Sequence, residues 1–204
     1  MKSIIFLILI YSFFLPNFVF AQQEFVCMSK GYTIVIVNGM NTTRQQAENN
    51  LTVLIDKIHL SSYNNQSLKY EYFLNPSHLA GLGDVVKVVD QKFNEDDASL
   101  DYDFIEIWKD ASLKVKTQKL LLVGHSQGNF YTNIFYKTLA DKVGGVPAES
   151  LNIYGVASPA SYVAGDGKYI TSDTDSVINN LRVGNALSIL PVNTNIKLLG
   201  DDKL

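Results

Sequence analysis

Cysteine is almost missing from this chain: Cys27 is alone among 204 residues. A single thiol cannot close an internal disulfide, which excludes a small disulfide-stapled scaffold, and it excludes zinc sites built on thiolates. No histidine stands near Cys27 in the chain and no small-residue run precedes it, so it reads as an unpaired terminal or buried thiol. Histidine is scarce too, at His59, His78 and His125. Histidines and carboxylates never recur at metal-ligand spacing and no His-Glu-x-x-His occurs, so no metal or other cofactor is expected. Gly81-Leu82-Gly83-Asp84 lacks the rest of either nucleotide-binding fingerprint. Charge is sparse as well: 18% of residues, net −3, with no basic run. Phosphate binding relies on clustered Lys and Arg, so nucleic acid is not an expected partner.

Long apolar runs are missing with one exception. After the positive start Met1-Lys2, residues 4–20 are almost wholly apolar, interrupted by Ser12, Pro16 and Asn17. The run ends in Val19-Phe20-Ala21 and turns polar at Gln22-Gln23-Glu24. A charged start, apolar middle and small-residue exit describe a secretory signal peptide, here residues 1–21. An uncleaved membrane anchor is the alternative, because the stretch nearly reaches spanning length. No other segment reaches it, so no stable membrane span is expected after cleavage. Residues 22–204 then form a single domain, secreted or periplasmic. Of three Asn-x-Ser/Thr triplets, at Asn41, Asn50 and Asn65, the first lies in a loop argued below to face substrate, which points to a bacterial exported protein.

What is present is alternation. Residues 32–37, Tyr-Thr-Ile-Val-Ile-Val, form a β-branched run closed by Asn38-Gly39 and read as a buried strand. Thr42 or Thr43 can cap a helix running to about His59, with Ala47, Leu51, Leu54, Ile55 and Ile58 near helical spacing. A strand over 68–74, helices over 84–93 and 102–116, and an apolar strand over 119–123 follow. A helix over 127–142 carries Phe130, Tyr131, Ile134, Phe135 and Leu139 inward, and strands over 150–156 and 169–171 precede a short helix over 176–182. Strands alternating with helices predict an α/β fold, a mostly parallel sheet with helices on both faces.

The chemistry sits where the strand over 119–123 runs into Gly124-His125-Ser126-Gln127-Gly128. This is a Gly-x-Ser-x-Gly pentapeptide between a strand and an amphipathic helix, the setting a nucleophile elbow requires. The serine must take a strained backbone conformation to present its hydroxyl, and the flanking positions then crowd neighbouring chain, so glycine fits there. The following helix aims its first N–H groups at developing negative charge.

This segment resembles the elbow of the α/β-hydrolase superfamily of lipases and esterases, and Val37-Asn38-Gly39-Met40 resembles that family's oxyanion segment, with Asn38 where a histidine is usual. The likeness extends loosely over residues 32–182. It implies that Ser126 attacks the carbonyl carbon of a small-molecule or lipid ester, and that the backbone N–H groups of Gln127 and Met40 hold the oxyanion.

In this family the acid and then the base follow the serine along the chain. Asp175 is the expected acid, by the family's Asp-x-Val pattern; Asp173 and then Asp166 are the alternatives, and all three also suit turns or helix caps. No histidine follows Asp175. Two expectations compete: a chain that stops short of the family's last strand and histidine loop, or a catalytically silent hydrolase fold that binds a lipid or protein partner. The first predicts a secreted serine esterase working through an acyl-enzyme on Ser126. Residues 79–94 are where a lid is expected.

Overall fold

The computed structural model describes residues 29–75, 102–142, 145–183 and 188–195. The leader, Cys27, His78, the expected helix over 84–93 and the expected lid lie outside the described residues.

The β-branched run forms β1 (Ser29–Val37), and Thr43 caps α1 (Arg44–Ile58). The Thr43 hydroxyl accepts from the Gln46 N–H and the Gln46 side chain accepts from the Thr43 N–H, so two orphan donors of the first turn are satisfied together. The helix ends where His59 turns left-handed at φ 51°. A two-residue strand, β2 (Ser62–Tyr63), then pairs antiparallel with β3 (Gln66–Phe73) across Asn64-Asn65, both at positive φ. After α2 (Tyr102–Lys114) come β4 (Thr117–His125), α3 (Gly128–Leu139), β5 (Leu151–Val156), β6 (Lys168–Ile170) and α4 (Ser176–Val183).

The six strands form one sheet in the order β2-β3-β1-β4-β5-β6, parallel throughout except at β2. The expected α/β architecture is the one found. Odd positions of β1, Val35 and Val37, pack with Leu122, Ile153 and Phe73 under Phe104 and Ile107 of α2 and Tyr131, Ile134 and Phe135 of α3. Even positions face the other way: Tyr32 and Ile34 share an apolar groove of about 340 Å³ with Ile58 at the end of α1. Only Ala47 of α1 is fully buried and Ile55 is 38% exposed, so the expected inward face of this helix is only partly covered.

The chain leaves β1 toward β3 and then recrosses to β4. That reversal makes the gap between the carboxyl ends of β1 and β4 a topological switch point, where open α/β sheets bind ligands.

Phe135 joins the aromatic core, its ring 6.0 Å from Phe73, 5.2 Å from Phe104 and 5.3 Å from Trp108. Phe135→Ala empties that junction and is expected to cost about 3–5 kcal/mol of stability, read as a lower midpoint in urea unfolding.

Candidate active site

Val37 and Gly124 stand opposite each other at the ends of β1 and β4, so Asn38-Gly39 and His125-Ser126 leave the sheet side by side. Ser126 takes φ 52°, the left-handed region that costs a non-glycine residue about 1–3 kcal/mol unless its surroundings hold it there. They do. The Ser126 N–H donates to the Val156 carbonyl at 3.0 Å, and the Ser126 carbonyl accepts from the Asn129 N–H at 3.1 Å. The same turn recurs one strand over, where Ala157 takes φ 48° and donates to the Ile170 carbonyl at 2.9 Å.

Sterics explain the two elbow glycines and one more. A Cβ on Gly128 would come 2.1 Å from the Val37 carbonyl oxygen, and one on Gly124 would come 2.9 Å from the Asn129 Cα. A Cβ on Gly39 would stand 2.9 Å from the Ser126 Cβ and 3.4 Å from its Oγ. Glycine at 39 therefore lets the loop carrying Met40 lie directly against the serine side chain. Met40 itself, half-buried, packs on the cluster formed by Phe130 and Ala160, as does Leu181.

Buried amides lock this edge. Asn38, in the usual place of a histidine, is fully buried; its Nδ2 reaches the Phe73 carbonyl at 3.5 Å, and its Oδ1 accepts from Asn50 Nδ2 at 3.2 Å. Gln127 is 1% exposed and its Oε1 accepts from Asn75 Nδ2 at 2.6 Å. Asn129 Nδ2 donates to both the Ser126 carbonyl, at 2.8 Å, and the Val156 carbonyl, at 3.0 Å. That assignment leaves Asn129 Oδ1 buried without a hydrogen-bond partner, at a cost of about 1–3 kcal/mol. The sequence reading passed over Asn38, Asn75 and Asn129 as side-chain participants. Their one signal is an amide at the end of, or within, an otherwise apolar segment.

Asp175 lies beyond the carboxyl end of β6, at the same edge of the sheet as Ser126. It is 6% exposed and its Oδ1 accepts from the Ile178 N–H at 3.0 Å, which makes it the N-cap of α4. Of the alternatives, Asp173 is exposed, and Asp166 precedes β6 and so belongs to the opposite edge. Burial pulls the Arg182 guanidinium below its ordinary range, and the Asp175 carboxylate partly opposes that. Arg182 Nη2 donates to the Leu190 carbonyl at 2.6 Å, tying α4 to the segment that follows it.

The histidines fare differently. The 15-residue α1 runs back along the sheet for about 22 Å, so His59 ends at the edge away from Ser126. His125 is the last residue of β4, in register with Val156. Among the described residues, no cluster of metal-ligating side chains occurs. The apolar groove on the even face lies several residues down the strands from the elbow, around Tyr32 and Leu121, and is not part of this site.

No family model matches the chain, and no curated protein matches it. Among solved structures, a histone deacetylase from Saccharomyces cerevisiae is similar at 11% identity and a TM-score of 0.29, over 78% of this chain and 76% of that one. A likeness that slight bears on neither fold nor chemistry.

Gly128→Ala would drive a methyl group into the Val37 carbonyl and push α3 off β1. It is expected to lower the melting temperature sharply, whereas Gly165→Ala, whose Cβ meets only the movable Tyr136 ring besides its own strained φ, costs less. Equal shifts in thermal unfolding would contradict the tight fit at 128.

Proposed function

We propose that this chain is a serine hydrolase that cleaves carboxylic esters through an acyl-enzyme on Ser126. The observation that carries the reading is the strained Ser126 at φ 52°, held at the switch point between β1 and β4 with Gly39 beside its hydroxyl. Strain of this kind persists only where surroundings enforce it, and it clusters at reactive sites.

In this scheme the Ser126 Oγ adds to the ester carbonyl carbon. The oxygen takes up the electron pair and rests against the backbone N–H groups of Gln127 and Met40, at the amino end of α3, where the helix field favours an anion. Collapse breaks the bond to the alkoxy oxygen and expels the alcohol, which carries off the proton given up by Ser126, leaving an acyl group on Ser126. Water then adds to that acyl carbon, the carboxylic acid departs and a proton from the water returns to the Ser126 oxygen. Asp175 is the proposed acid, oriented by its cap bond to Ile178. Export by the leader places the enzyme outside the cytoplasm or in the periplasm. No helix among the described residues is long and apolar enough to cross a membrane.

One observation favours a second reading, a silent hydrolase fold that binds a lipid or protein partner: α1 carries His59 to the edge of the sheet away from Ser126. A fluorophosphonate separates the two. The enzyme reading expects covalent labelling of the protein and none of Ser126→Ala; equal treatment of both proteins would sink it.

Asp175 allows a cleaner dissection. Asparagine caps helices as well as aspartate, so Asp175→Asn is expected to change stability by less than about 0.5 kcal/mol, whereas Asp175→Ala loses about 1 kcal/mol with the cap. Labelling should slow in both variants if the carboxylate serves chemistry. Slowing in Asp175→Ala alone would reduce it to a cap.

A further inference from the structure

Asn129 does something that helix capping does not explain. Its backbone N–H already closes the turn onto the Ser126 carbonyl at 3.1 Å, yet its side-chain Nδ2 reaches the same carbonyl at 2.8 Å. The second hydrogen of that Nδ2 goes to the Val156 carbonyl at 3.0 Å, which also accepts the Ser126 N–H. The opposite arrangement of the amide would set an oxygen against two carbonyl oxygens, so the donor side is fixed by its surroundings. The acceptor side is left buried and unpaired, facing Gly155, where a Cβ would come 2.8 Å from Oδ1. An apolar side chain at this position would strand no acceptor. What Asn129 contributes is therefore its two donated bonds.

The bond to the Ser126 carbonyl acts on one peptide plane. The unit joining Ser126 to Gln127 is planar and trans, so its carbonyl and the Gln127 N–H point in opposite directions, and holding one aims the other. We propose that Asn129 is a positioning residue that aims the Gln127 N–H as oxyanion donor by gripping the Ser126 carbonyl at the other end of the same peptide. This rests on the reading of Ser126 as nucleophile. Two donors on the carbonyl also polarise the amide and leave its N–H a stronger donor. The bond to Val156 fixes the assembly to β5, so the donor's direction is set by the sheet rather than by the turn alone.

The test is fluorophosphonate inactivation of the full chain over a range of probe concentrations, which separates probe binding from the rate of the covalent step, with melting temperatures recorded alongside. Asn129→Ala is expected to slow the covalent step about 10- to 100-fold, short of the loss from deleting a donor outright, with probe binding within about twofold. Gly155→Ala keeps the asparagine but crowds its Oδ1; it should slow the same step by a smaller factor and serves if Asn129→Ala does not fold. A wild-type covalent rate in both variants would overturn the proposal. So would a slowing matched by weaker probe binding and a lower melting temperature, which marks a purely structural part. If the unaltered protein is not labelled at Ser126, the hydrolase reading fails first and this inference falls with it.

Discussion

Helix α3 meets the sheet so closely at Gly128 that a methyl group there would stand 2.1 Å from the Val37 carbonyl oxygen. The helix must nevertheless begin within three residues of the end of β4, since it packs Tyr131, Ile134 and Phe135 into the core. A chain that goes from strand to helix in so short a space has to reverse through a left-handed residue, and Ser126 is that residue. The strain at the serine is thus an outcome of core packing, sustained by the burial of three large side chains rather than by local preference. Gly39 extends the same fit to the neighbouring loop, so the approach of α3 to β1 shapes both sides of the site.

Around this junction polar groups are buried in unusual number. Asn38, Asn75, Gln127 and Asn129 are each at most 2% exposed. Buried amides earn little net stability when satisfied and cost more when one atom is not. Their value lies in direction: a hydrogen bond in a dry setting holds a backbone group far more narrowly than an apolar contact does. Asn38 ties the end of β1 to β3 and α1, while Asn75 ties the loop after β3 to the elbow. Several elements therefore converge on one short stretch of backbone, the condition under which preorganised dipoles can be effective.

Much of this was legible in the residues. The β-branched run of β1 and the apolar centre of β4 announced a parallel sheet, and the pentapeptide at Ser126 announced the turn, because two missing side chains mark a steric requirement that sequence records directly. The aromatic stripe of α3 was likewise plain, since helical periodicity and burial agree there. The face of α1 was read in part: Ala47 is buried and Leu51, Leu54 and Ile58 are half-buried, but Ile55, which fits the apolar spacing, is 38% exposed, since tertiary placement overrides pattern. β2 is too short to show periodicity, and only Asn64-Asn65, tolerant of positive φ, hinted at its hairpin. The buried asparagines stayed hidden because composition assigns amides to the surface. Asp175 was found as a residue, but a helix cap and a triad acid place the same side chain at the same point in the chain.

The outer rim of β3 carries a different lesson. Lys114 at the end of α2 donates its ammonium to the Tyr72 carbonyl at 2.7 Å while pairing with Asp110 at the same distance. The neighbouring Phe73 carbonyl is turned inward to Asn38, so in the alternating pattern of a strand the Tyr72 carbonyl points away from β1. With Lys69 and Glu71 beside it and a two-residue β2 covering the strand's beginning, this margin offers an incoming strand a blocked acceptor, charged neighbours and a short template. Such margins resist the edge-to-edge polymerisation to which open parallel sheets are prone.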